Sequence, residues 1–392
     1  MIIRCPNCGA VLTYDPIANQ MSCESCCSFF DLNHFHVSKE DVVDEITLEK
    51  EDNKDGEDTF ESEIYHCTSC GARLLVNQVE AATFCAYCNQ PTICFERVGR
   101  QKRPDKIIPF MISKKQAQQI VEERLREGSF VPLEIKNTKA DQIRGIYIPF
   151  TIFDLFYESK DIYRGVVRER KNSTKVLYFF RKGASEFKNL TVDSSVQLND
   201  NSSRRLEPYY VKGLKEFNPN YLSGYYADCG DEDKISLRHT AKVRAKNMYD
   251  KEMRKTVRAS NVEHIQSIPH ADILREETAL LPAWFFVYNH EGKRYTLMVN
   301  GQTGKVVGTV PTDKKKLTIM SVAITLTICT VCGGIASKLP LIPLNIIFPG
   351  ILILIGMIVF MIQKKKEKYK IGIALTTAEK LHDFSFDRSD TH

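Results

Sequence analysis

Cys5-Pro6-Asn7-Cys8 and Cys23-Glu24-Ser25-Cys26 recur 62 residues later as Cys67-Thr68-Ser69-Cys70 and Cys85-Ala86-Tyr87-Cys88. In both copies fourteen residues separate the two Cys-x2-Cys pairs, and both carry the string Cys-Gly-Ala-x-Leu, at Cys8–Leu12 and Cys70–Leu74. Zn²⁺ takes four ligands at tetrahedral angles, and thiolate sulfur serves it well in structural sites. A Cys-x2-Cys turn aims two sulfurs at one ion, and Gly9 and Gly71 supply the permissive backbone that such a turn needs. Fourteen residues suffice for a short hairpin that brings the second turn back to the metal, just under the usual spacing for such sites. The 62-residue offset also resolves Cys26-Cys27. It aligns Cys26 with Cys88 and Cys27 with Asn89, so Cys26 is the expected ligand.

An even number of cysteines also suits a disulfide-stapled secreted fold. No apolar run precedes Cys5, so the expectation is that no signal peptide carries this end outside and the cysteines stay reduced. The predicted ligands are Cys5, Cys8, Cys23 and Cys26 for one Zn²⁺, and Cys67, Cys70, Cys85 and Cys88 for another. With four cysteines at each ion no coordination position is open for substrate or water, so both zincs read as structural.

Charge is unevenly spread. Residues 39–63 hold twelve acids and three lysines, a net −9, leaving the remainder of the +5 chain at +14. That stretch reads as a solvated, self-repelling linker. At the other end, Leu317 to Ser337 carries no formal charge, and a second apolar run spans Leu344 to Ile362 after a break containing Pro340 and Pro343. Each run is long enough to cross a bilayer as a helix, and the prolines break the chain where a turn is wanted. Lys314-Lys315-Lys316 precede the first run and Lys364-Lys365-Lys366, Lys368 and Lys370 follow the second, with only Lys338 between. The positive-inside rule then places both flanks in the cytoplasm, and these lysines would also be drawn to anionic headgroups. Cys329 and Cys332 share a helix face inside the first run and read as small packing residues.

The middle of the chain reads as α+β. Ser113-Lys114-Lys115-Gln116 predicts a capping box opening a helix, with Gly128 as its stop. Strands are expected at Gly145–Tyr157, Tyr163–Arg170 and Lys175–Arg181. A second helix, rich in lysine and arginine, is expected over Glu232–Lys255 with its basic face in solvent. Trp284–Tyr288 and Arg294–Val299 predict paired strands, followed by a tight turn at Asn300–Gly304.

The full expectation is an α+β chain in seven parts: a first zinc ribbon (1–36), an acidic linker (37–63), a second ribbon (64–99), a cytoplasmic α+β domain (100–312), transmembrane helices (317–337 and 344–362) and a cytoplasmic tail (363–392). Gly301-Gln302-Thr303-Gly304-Lys305 is no phosphate loop, because Val299 and Val306 stand where that motif needs glycine and Ser or Thr. No Gly-x-Ser-x-Gly or His-Glu-x-x-His occurs, so no catalytic residue and no small-molecule substrate are indicated. His34 and His36 read as surface residues or outer neighbours of the first metal.

Four phrases, Ile107–Phe110, Gly145–Phe150, Leu281–Trp284 and Val299–Lys305, resemble bacterial membrane proteins with an amino-terminal zinc ribbon. These are common in Firmicutes and are often labelled TFIIB-type zinc-ribbon or primosomal helicase-like proteins. The resemblance implies a place beside phage-shock-type and flotillin-like (SPFH) membrane proteins, in membrane organisation or envelope stress. Together these readings predict a non-enzymatic, multi-pass cell-membrane adaptor with both termini cytoplasmic, holding a protein partner at the inner face of the lipid bilayer. The alternative is a membrane-tethered nucleic-acid-binding protein. Nucleic acid is disfavoured because residues 1–36 carry one basic side chain, Arg4, beside an acidic linker.

Overall fold

The computed structural model describes residues 3–35, 59–76, 84–91, 93–128, 130–168, 173–198, 200–336 and 382–391. The fold is α+β. The amino-terminal ribbon is a three-stranded antiparallel sheet of β1 (Leu12–Asp15), β2 (Gln20–Cys23) and β3 (Phe29–Phe30). The second ribbon consists of β4 (Thr59–Cys67), β5 (Arg73–Val76) and β6 (Ile93–Lys102). Residues 59–63, read from sequence as the end of the acidic linker, are therefore strand, each paired to β6. Residues 36–58 lie outside the described residues.

The body is built on two long strands, β8 (Arg144–Arg168) and β12 (Ser260–His290), paired antiparallel almost end to end. β9 (Thr174–Asp193) covers most of the other edge of β8, and β11 (Tyr226–Asp228) takes its first residues in parallel, while β7 (Lys106–Ile107) pairs with β12 and with β10 (Lys215–Glu216). One face of β8 and β9 carries Phe153, Leu155, Tyr157, Tyr163, Phe179 and Phe187, all buried with α4 (Lys234–Lys255). α4 meets them with Leu237, Ala241, Ala245, Tyr249 and Met253, one residue every four, which keeps a narrow apolar stripe on the sheet.

Strand bounds are corrected at two points: the strand expected at Lys175–Arg181 runs on to Asp193 as β9, and the two strands expected on either side of Glu158–Ile162 are one. The predicted break between Tyr157 and Tyr163 does not occur: β8 runs straight through Glu158–Ile162. Polar side chains there are partnered through one oxygen of Asp161. Ser159 donates to buried Asp161 at 2.9 Å, and His264 of β12 lies 2.9 Å from the same oxygen, stacked on Tyr163. The first half of β12 was not legible as a strand. It pairs only with β8 over Ser260–Thr278 among the described residues, and it carries three register shifts and Pro269, devices that blunt an open edge.

The helix predicted from Ser113 is α1 (Lys114–Arg126), with both hydrogen bonds of the capping box formed. Its continuation ends before Gly128 at φ +97°. Two short helices follow, α2 (Leu133–Lys136) and α3 (Asp200–Leu206). The predicted hairpin is formed by β12 and β13 (Lys293–Asn300), turning on Glu291-Gly292 with φ of 50° and 71°, as a two-residue turn of this hand requires. β14 (Val306–Gly308) then pairs with β13.

The phrases Ile107–Phe110, Gly145–Phe150, Leu281–Trp284 and Val299–Lys305 meet at one place. Phe110 stacks on Tyr225 at 4.2 Å between centroids and lies 4.9 Å from both Tyr147 and Trp284. Gly301 donates its N–H to Pro282 and accepts from Met111 and Ile112. The Asn300 carboxamide accepts from Gln302 and Thr303 N–H and donates to the carbonyls of Leu206 and Pro208. Gln302 is bonded to both backbone groups of Tyr210, and Lys305 donates to the Glu207 carbonyl. The phosphate-loop-like phrase is thus a clamp on Leu206–Tyr210.

α5 (Lys314–Ala336) begins on Asp313, whose carboxylate accepts from Lys315 and Lys316 N–H. Ile319, Val322 and Leu326 on it are exposed. Among the described residues no helix is long and apolar enough to cross a membrane. The end of the first predicted span, side chains from 331 onward, and the whole of the second lie outside the described side chains or residues. β15 (His382–Thr391) pairs antiparallel with β9 over Phe187–Tyr178.

Candidate metal centres

Each four-cysteine set comes together. Within each, all four sulfurs lie within 4.8 Å of one another. Cys5–Cys26 and Cys8–Cys23 sulfurs are 3.5 and 3.4 Å apart in the first set. Cys67–Cys88 and Cys70–Cys85 are both at 3.6 Å in the second. A tetrahedral zinc with 2.3 Å bonds has sulfur–sulfur edges of about 3.8 Å, so both sets fit that ion with little movement.

The backbone explains why. In all four turns the residue just after the second cysteine donates its N–H to the carbonyl of the first: Gly9 to Cys5, Gly71 to Cys67, Cys27 to Cys23 and Asn89 to Cys85, each at 2.8–2.9 Å. The closing residue is left-handed every time, with φ of 74° at Gly9, 78° at Gly71 and 55° at both Cys27 and Asn89. Cys27 thus occupies the turn position of Asn89, and Cys26, the residue that the repeat offset singles out, is the one whose sulfur joins the four-cysteine cluster. Backbone N–H groups of Ala10, Ser28, Ala72 and Gln90 reach the sulfurs of Cys8, Cys26, Cys70 and Cys88, but Cys8 is still pushed up to about 12, against its Ala10 hydrogen bond, by Cys23 and Cys26, and burial raises Cys88. The Ser28 hydroxyl brings Cys26 down to about 6, and the Cys85 thiol brings Cys70 down to about 5. Cys85 is driven upward in turn, first by Cys70 and then by burial.

The two centres differ in surroundings. Cys8 and Cys26 are exposed, whereas in the second set only Cys70 is partly so. The first ribbon docks on the segment Asn220–Tyr225. Ser223 donates to the Leu12 carbonyl and accepts from Tyr14 N–H through its own carbonyl, and Asn220 donates to the carbonyls of Leu32 and Phe35. Tyr14 meets Tyr221 edge-on at 5.1 Å.

The second ribbon enters the main sheet itself: β5 pairs with β11, which pairs with β8. Tyr87, between the ligands Cys85 and Cys88, donates to Asp228 at 2.6 Å, and Ser195 donates to the same oxygen. Burial pushes the Asp228 carboxyl up to about 7, with the Ser195 and Tyr87 hydroxyls pulling the other way. Tyr226 donates to the Phe84 carbonyl and Asn89 to Gln142. One short run, Asn220 to Asp228, is therefore gripped by the first ribbon at one end and the second at the other.

Sequence reading missed Tyr87, Ser195, Asn220, Ser223 and Asp228, whose partners lie up to 211 residues away and leave no local pattern. His34 is no ligand: it lies among Phe30 and Phe35, while His36 is outside the described residues. Cys94 and Cys229 stand apart from both sets, and burial pushes the Cys229 thiol up to about 12.

No family model matches the chain, and no solved structure matches it. It is 28% identical over 331 residues to the uncharacterized protein YdjG of Bacillus subtilis (strain 168), across 80% of this chain and 91% of that protein.

Proposed function

We propose that this protein is a non-enzymatic adaptor of the cell membrane, in which two structural zinc centres fix a partner-binding surface at the cytoplasmic face. The observation that carries the reading is the closure of both four-cysteine sites, which leaves metal with a scaffolding role only. Both ribbons are anchored to the body rather than held on a loose tether, so any surface they offer is presented in a fixed orientation. On the first ribbon that surface includes Ile17 and Phe29, 70% and 53% exposed.

Membrane attachment rests on the two uncharged runs and their lysine flanks. The tail supports a two-helix hairpin. β14 leads into α5, and β15, beyond both apolar runs, pairs with β9 of the same body. A chain that leaves one domain and returns to it crosses a bilayer an even number of times. Phage-shock or flotillin-like membrane proteins are the partners that the family resemblance suggests. Against nucleic acid stands the single basic side chain of the first ribbon, Arg4, which donates to the Gly9 carbonyl.

Crosslinking in native membranes tests the reading. The double variant Ile17→Asp/Phe29→Asp is expected to remain in the membrane with two zinc ions and to lose the crosslinked partner. An unchanged set of crosslinks would sink the adaptor surface, and a salt-dependent shift of DNA by the full-length protein would favour the nucleic-acid alternative.

A further inference from the structure

We propose that the first ribbon is a peroxide-reactive zinc centre, whose exposed thiolates are oxidised to disulfide while the second centre keeps its ion. The inference rests on the metal reading above and adds a chemistry to one of the two sites. The sites are matched in nearly everything but access. They share ligand spacing, left-handed turn residues, closing hydrogen bonds and sulfur–sulfur distances within 0.2 Å. They differ in that Cys8 and Cys26 are exposed, whereas three ligands of the second set are buried and the fourth partly so. Oxidation of a sulfur requires that the oxidant reach it, so access decides between two otherwise matched sites.

Each exposed sulfur of the first set faces a buried one: Cys26 stands 3.5 Å from Cys5, and Cys8 stands 3.4 Å from Cys23. An exposed thiolate such as Cys26 attacks one oxygen of hydrogen peroxide. The O–O bond breaks, hydroxide leaves and takes up a proton, and Cys26 becomes a sulfenic acid. The Cys5 thiolate then attacks that sulfur, the S–S bond forms, the S–O bond breaks and a second hydroxide leaves as water. Two thiolates, one peroxide and two protons give one disulfide and two waters. Zinc is left with two sulfurs and departs. The strands that hold Tyr14 against Tyr221, and Leu12 against Ser223, then lose their metal support, so oxidation frees the Asn220–Tyr225 surface.

The test uses full-length, zinc-loaded protein in detergent, titrated with hydrogen peroxide. Released zinc is read with a chromophoric chelator and cysteines are mapped by alkylation and mass spectrometry. One ion is expected to leave roughly tenfold faster than the other, with a Cys5–Cys26 or Cys8–Cys23 disulfide and intact Cys67, Cys70, Cys85 and Cys88. Dithiothreitol with zinc should restore the starting state, and Cys27→Ser should release the same single ion. Simultaneous loss of both ions, prior loss of the second, no release, or abolition of release by Cys27→Ser overturns the proposal. A loaded protein holding fewer than two zincs before peroxide sinks the metal reading and this inference with it, a failure distinct from the others.

Discussion

Cys85→Ser is expected to remove one zinc and to unfold the body of the protein, whereas Cys26→Ser removes the other and leaves the body standing. Both substitutions delete one sulfur of four, so the local chemistry is alike. The surroundings are not. The first ribbon closes its own three-stranded sheet and rests on the body through hydrogen bonds around Ser223 and Asn220. β5 of the second is a strand of the main sheet. Releasing it bares the edge of β11, opens the seat of Leu74 and Ala72, and strips Tyr87 from the buried carboxyl of Asp228. Metal binding of this kind is worth on the order of 10 kcal/mol of folding free energy, against a total stability of roughly 5–15 kcal/mol. Thermal unfolding followed by circular dichroism should show the main transition lowered by at least ~10 °C, or no soluble protein, for Cys85→Ser. Cys26→Ser should leave that transition within a few degrees of the parent. Equal falls would contradict the asymmetry.

Gly301→Ala is expected to destabilise the protein by about 3 kcal/mol although no charge or hydrogen bond is removed. A β-carbon at Gly301 would stand 2.7 Å from the Phe110 ring and 2.7 Å from Pro282. Neither neighbour is the loose end of a flexible side chain. Phe110 is held among Tyr147, Tyr225 and Trp284, and Gly301 is fastened by its own N–H and carbonyl. Gly230→Ala is the control, since its new carbon meets Pro149 and Ser194 at 3.5 Å or more. The first substitution should lower Tm by roughly 5–10 °C and the second by about a degree. A neutral Gly301→Ala would show that the clamp around Asn300–Lys305 is looser than the contacts describe.

Legibility followed locality. The cysteine repeat was readable because metal geometry acts over a few residues, and Cys26 was separable from Cys27 because the repeat carried its own register. The capping box at Ser113 and the Glu291-Gly292 hairpin were readable for the same reason. The extent of β8 and β12 was not. Whether Glu158–Ile162 continues a strand depends on Asp161 finding Ser159 and His264, a match made across 103 residues. The seating of the ribbons was equally hidden, because Tyr87 reveals its role only through Asp228, 141 residues on. The phrase Asn300–Lys305 reads from sequence as a tight turn and not a phosphate loop, but nothing local tells what the turn holds. Its chemistry is spent on backbone groups of Leu206–Tyr210.

The central claim is that two closed tetrathiolate zinc centres build this protein. Elemental analysis of the purified full-length chain, alongside alkylation of its cysteines without denaturant, tests it most directly. The account predicts two zinc ions per chain, with the buried ligands Cys5, Cys23, Cys67, Cys85 and Cys88 protected until a chelator is added. A chain that folds with no zinc, or with those cysteines joined as disulfides, would contradict it.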